Sequence, residues 1–254
     1  DAWWARVGGL VAAAAALAWQ RPWRDPATWA HIAPFAVWLT VMYGAGEPSA
    51  ANYSLRTVLG AVTLLWTRPW RWYGRPSWRD VPWALAAGLG AFVLWVGFES
   101  DAFRALAPRA AEWYERYLVG PLPAGFGRLR TPMTNYPYLP ARAGWTAFGI
   151  HMVGTSLVIA MAEEFFWRGF LYRWLCARNF QSLPLTHLDP PMFAAVAVLF
   201  GLEHTEWFVG VLTGLIYGAL VVRSGRIWPA VIAHGLTNFL LGLHVLRADA
   251  WWFW

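Results

Sequence analysis

Residues 145–174 read WTAFGIHMVGTSLVIAMAEEFFWRGFLYRW, an apolar run broken only by Glu163, Glu164, Arg168 and Arg173. A bilayer span takes about 20 such residues, so the run is long enough to cross hydrocarbon. It lacks the strict alternation of a transmembrane barrel strand, and backbone groups in lipid must be satisfied within their own segment. The expected fold is therefore all-α.

Seven further apolar stretches flank it: Val7 to Trp19, His31 to Gly46, Leu55 to Thr67, Val81 to Phe98, Met192 to Leu202, Trp207 to Val222, and Ile227 to Leu246. Together they predict a polytopic transmembrane helical bundle of about eight helices, or six to eight if the shorter runs do not span. Of 254 residues, 58% are hydrophobic and 13% charged, about half the charge of a soluble domain. A soluble binding module is excluded on that ground. The 21 Trp residues often stand beside Arg or Pro at the edges of apolar runs, as in Arg68 to Trp72, where an amphipathic ring suits the headgroup layer.

The net charge of +6 is carried by Arg, with no Lys in the chain. These arginines sit in short loops rather than on one solvated face, which argues for membrane orientation and against nucleic acid as a partner. With eight spans, Arg21, Arg24, Arg68, Arg71, Arg75, Arg79, Arg173, Arg178, Arg223 and Arg226 fall on one face, which places both termini outside the cytoplasm. The single cysteine, Cys176, excludes an internal disulfide framework and any Cys-based zinc site. No cleavable signal peptide is read, and nothing marks a second domain, so 1–254 is taken as one membrane domain with catalytic helices over about 145–247. Residues 99–144, rich in Arg and Pro, predict an amphipathic helix near Phe103 to Leu118 and then an irregular stretch, read as a connector rather than a cap.

Charged groups within spans cost about 2.5–3.5 kcal/mol each on insertion scales, so they should face the bundle interior and pair. Three clusters qualify: Glu163, Glu164 and Arg168; Phe200 and His204; and His234 and Asn238. Residues four apart share a helix face, so Glu164 can pair with Arg168 and stay ionised, while Glu163 points about 100° away and is left to meet other helices. A carboxylate in a dry pocket can act as general base on water. His234 and Asn238 present imidazole and amide from one face, and Asn can donate to a developing oxyanion. Glu203 and Glu206 are read as facing water or a cap at a helix end, and His31, His151, His187 and His244 as interface or core histidines. Asn135, Asp189 and Cys176 are read as loop or packing residues.

The patterns Glu-Glu-x-x-x-Arg, Phe-x-x-x-His and His-x-x-x-Asn, in this order, resemble the three signature motifs of the type II CAAX prenyl endopeptidase and bacteriocin-processing family. The resemblance implies an intramembrane endopeptidase acting on a membrane-associated peptide or protein in the lipid bilayer. It implies that Glu163 and His204 activate water, that His234 and Asn238 support the oxyanion or a metal, and that Glu164, Arg168 and Phe200 support the site. Zinc held by Glu163, His204 and His234 is one form of this expectation. The pieces IAPFAVWL, YSLRTVLGAVTLLW, EEFFWRGFLYRWL, LFGLEH and HGLTNFLLGLHVL further resemble CAAX-protease-related proteins associated with bacterial exosortase systems. That narrower likeness implies a bacterial inner membrane and partners in export machinery. A non-catalytic scaffold or immunity protein of the same fold is the alternative, with a proton-coupled transporter behind it, since no inverted repeat is found.

Overall fold

The computed structural model describes residues 25–45, 49–119 and 136–253. The run Val7 to Trp19, Arg21, Arg24, Pro121, Pro123, Pro132 and Asn135 lie outside the described residues. Nine helices and no strand occur among the described residues. They are α1 (Pro26–Gly44), α2 (Ala50–Thr67), α3 (Val81–Glu99), α4 (Asp101–Leu106), α5 (Pro108–Tyr114), α6 (Pro140–Cys176), α7 (Pro190–Leu202), α8 (Trp207–Ser224) and α9 (Trp228–Ala248). The bundle is all-α, as its composition requires.

Helix starts follow the local chemistry. Asp25, Ser49, Ser100 and Asp189 each accept hydrogen bonds from backbone N–H groups of the first turn that follows them. Asp189 is thus the cap of α7. At the C-terminal end of α8, Gly225 adopts φ 65°, a left-handed conformation that glycine takes without a Cβ penalty.

Four helices are long and apolar enough to cross a membrane: Trp78–Glu99, Pro140–Cys176, Trp207–Ser224 and Trp228–Ala248. The apolar helix α7 is shorter. α6 runs for 37 residues and packs against α1, α2, α7 and α9, while α7 pairs with α8 and α3 with α9. The arginine-bearing loops meet at one end. Arg226 pairs with Asp80 at 2.7 Å, Arg173 donates to the Leu183 carbonyl, and the Trp228 indole donates to Gly74 O at 2.6 Å.

Close helix contacts depend on small residues, as expected where lipid is as apolar as a leucine side chain. A Cβ on Gly88 of α3 would lie 2.8 Å from Ala233 O of α9, and one on Gly235 would lie 2.5 Å from Ser156 O of α6. The tightest such site is Gly201 of α7, where a Cβ would meet Val211 Cγ2 at 2.4 Å and Trp207 O at 2.5 Å. Gly201→Ala is expected to lose about 1–3 kcal/mol by forcing α7 from α8, read as a lower unfolding midpoint in detergent. A midpoint equal to wild type would contradict that packing.

Candidate active site

α6 is not a uniform helix. It is α-helical to Val153, π-helical over Gly154–Ile159, α-helical over Ala160–Glu164, π-helical over Phe165–Leu171, and α-helical again to Cys176. The α-helical island between the π segments carries Glu163 and Glu164. π segments recur at functional sites because they break the regular succession of side chains around a helix.

Glu164 has no exposed surface, and its Oε1 accepts from Arg168 Nη1 at 2.8 Å. The remainder of the guanidinium is also engaged, donating to Gly214 O at 3.1 Å and lying 4.3 Å from the centre of the Phe200 ring. The same Glu164 oxygen accepts from His234 Nδ1 at 3.0 Å. An ionised carboxylate donates nothing, so Nδ1 carries the proton and Nε2 is left for other work. That Nε2 faces Glu163 Oε2 at 3.9 Å, beyond direct hydrogen-bond range. Two consecutive glutamates therefore straddle one imidazole. Tyr217 stacks on the His234 ring at 5.1 Å and Phe200 stands edge-on to it at 5.9 Å, which fixes its plane.

His204 follows the end of α7 and donates from Nδ1 to Phe200 O at 2.8 Å, leaving its Nε2 as an acceptor. Burial holds its imidazole down at about 4, so it is neutral. Phe200 separates the two histidines, 4.8 Å from His204 and 5.9 Å from His234. Among the described residues, His234 comes within ion-pair range of Glu163 and Glu164, and His204 does not. Asn238, one helical turn from His234, donates from Nδ2 to Thr155 O at 2.9 Å in the first π segment. Its second amide proton is not used by that bond.

At the turn joining α7 to α8, Glu206 lies under cover, against a cap rather than water. Glu206 is 1% exposed, and neither of its carboxyl oxygens has a hydrogen-bond partner among the described residues. Burial, with the neighbouring Glu99, raises its carboxyl well above the usual range. Glu203 is also turned inward, with burial pushing it up to about 8. Glu206 does not face water. The covering comes from α5 and the π turn Glu115–Val119, where Trp207 donates to Leu118 O at 2.9 Å and Tyr114 lies against Phe98 and Phe208. The segment read as a connector thus covers the turn that carries His204. The missed signal was in FGLEHTEWF itself: a solvated turn favours Gly, Pro, Asn or Asp, and this one is flanked by Phe and Trp.

His31 and His151 are core residues, 0% and 3% exposed. Among the described residues no group of three His, Cys, Asp or Glu side chains is arranged to hold a metal ion, Glu163, His204 and His234 included. The zinc form of the expectation finds no fit there, and no step below is routed through a metal.

No curated protein and no solved structure gives a significant match to the chain. Residues 145–240 match the family model described as type II CAAX prenyl endopeptidase Rce1-like, a stretch that runs from α6 through Asn238 and spans all three motifs. The part of this multi-pass membrane chain that builds the site, residues 145–240, is thus similar to the type II CAAX prenyl endopeptidases.

Proposed function

We propose that the protein is an intramembrane endopeptidase in which Glu163 is the general base. The observation that carries this reading is the division of labour between adjacent glutamates. Glu164 is committed to Arg168 and His234, whereas Glu163 Oε2 is buried with no hydrogen-bond partner among the described residues and faces His234 Nε2.

In this reading Glu163 takes a proton from water, with His204 Nε2 accepting the other water hydrogen in a hydrogen bond. The hydroxide adds to the scissile carbonyl carbon, and the carbonyl oxygen becomes the oxyanion. The second Asn238 amide proton is the donor aimed at that oxygen, and His234, held by Glu164, stands beside Glu163. Collapse breaks the C–N bond, and Glu163 returns its proton to the leaving amine. Glu164 and Arg168 position His234, much as a carboxylate orients a histidine elsewhere. The family match favours this reading over a proton-coupled transporter. The narrower assignment beside bacterial export machinery in an inner membrane rests on sequence likeness.

The test is mass spectrometry of peptide termini in membranes co-expressing the wild-type chain or His204→Ala. New termini that vanish in a folded His204→Ala support the peptidase. Folded wild-type protein that generates no terminus across a broad membrane-peptide screen transfers the case to a non-catalytic scaffold.

A further inference from the structure

Arg56 lies in α2, within the bundle, and is not used by the chemistry above. Its guanidinium carbon sits 4.0 Å from the centre of the Tyr53 ring and 5.0 Å from that of Trp38 in α1. The rings are themselves fixed: Tyr53 stacks on His151 of α6 at 3.7 Å and meets Tyr138 at 5.3 Å and Trp38 at 5.7 Å. Among the described residues Arg56 makes no ion pair with any carboxylate, and its Nε is buried with no hydrogen-bond partner. The contrast with Arg168, whose guanidinium is engaged by Glu164, Gly214 and Phe200, is direct.

Aromatic faces stabilise a guanidinium, and although the Tyr53 hydroxyl lies within reach of Arg56, the remaining N–H donors of the fork match a carboxylate or phosphate. The cage is also correctly placed. A Cβ on Gly154 would meet Tyr53 Cε1 at 2.7 Å, so the cage abuts α6 at Gly154. The nine steps from 154 to 163, which begin in the π segment, rise at most about 13 Å along the helix. An extended peptide covers about 3.3–3.6 Å per residue, so roughly four residues link the two places.

We propose that Arg56, seated on Tyr53 and Trp38, is a binding site for an oxyanion group, a carboxylate or phosphate, presented within the membrane. On the peptidase reading, which this deepens, the group is the free C-terminal carboxylate of a peptide whose scissile bond lies at Glu163. The other source of the same chemistry is a lipid headgroup phosphate.

Two binding measurements on the purified full chain separate the cases. Pooled apolar decapeptides are offered as C-terminal acids and as C-terminal amides to wild type, Glu163→Gln, Arg56→Gln and Arg56→Lys. Thermal unfolding is compared in phosphatidylglycerol and phosphatidylcholine nanodiscs. The expected result is an acid preference on the order of tenfold in wild type and Glu163→Gln, absent in Arg56→Gln and partly kept in Arg56→Lys. An Arg56-dependent stabilisation by phosphatidylglycerol with no acid preference keeps the oxyanion site and assigns it to lipid. Wild-type protein indifferent to both acid and phosphatidylglycerol overturns the proposal, whether or not Arg56→Gln folds, and leaves a cation held by aromatic rings alone. Acid-selective binding without cleavage leaves the Arg56 site standing while sinking the peptidase reading, so the two can fail separately.

Discussion

Glu163→Gln is expected to lower peptide hydrolysis by about 10²–10⁴-fold, the range that a general base contributes. The change is nearly isosteric and removes one charge. It should leave the fold intact, because the nearest partner of Glu163, His234 Nε2, is 3.9 Å away and forms no direct hydrogen bond. Glu164→Gln is expected to differ in kind: it weakens the bonds to Arg168 and to His234 together, so stability falls along with turnover. Turnover of an identified peptide, measured beside the unfolding midpoint, separates the two variants. Glu163→Gln turning over within about threefold of wild type would remove Glu163 from the base role.

Arg168→Ala is the largest expected loss of stability, about 3–5 kcal/mol, because it strands a carboxylate with no exposed surface. It also removes the donor to Gly214 O and the cation over Phe200. Replacing both members, Glu164→Gln with Arg168→Met, should cost less than Arg168→Ala alone, since no unpaired charge then remains buried. Unfolding in mixed micelles, followed by tryptophan fluorescence, gives both values. A double variant less stable than the single one would show that the pair contributes more than mutual neutralisation.

Much of this was legible in the sequence. The apolar runs from Val81, Trp145, Met192, Trp207 and Ile227 fall on α3, α6, α7, α8 and α9, because span length and lipid polarity leave the chain little choice. The four-residue spacing of Glu164 and Arg168 led directly to their contact. The same spacing was a weaker guide in α9, where His234 and Asn238 share a face but reach different parts of α6. It also left Glu163 to meet other helices, and in the structure Glu163 faces His234 of α9 at 3.9 Å. Imidazole has two nitrogens and can be approached from both sides. The burial of Glu206 was not legible, since it depends on Tyr114 and Leu118, distant in sequence, folding back beside the turn.

The π segments of α6 have a consequence for how this chain tolerates insertion and deletion. A helix closed by i→i+5 bonds accommodates one more residue per turn of hydrogen bonding than an α-helix, so losing one residue can relax it to α instead of breaking it. Each residue removed from an α-helix rotates everything beyond it by about 100°. Within Phe165–Leu171 a single deletion would thus be absorbed as backbone yet dephase the two halves of α6. Trimming after Arg168 would keep the Glu164 pair while turning Tyr172 and Arg173 from their partners at the arginine-rich end. Trimming before it would separate Arg168 from Glu164. The helix therefore carries two angular settings, one for the glutamates and one for the loops, and the π turn between them is the phase coupling that keeps both in register.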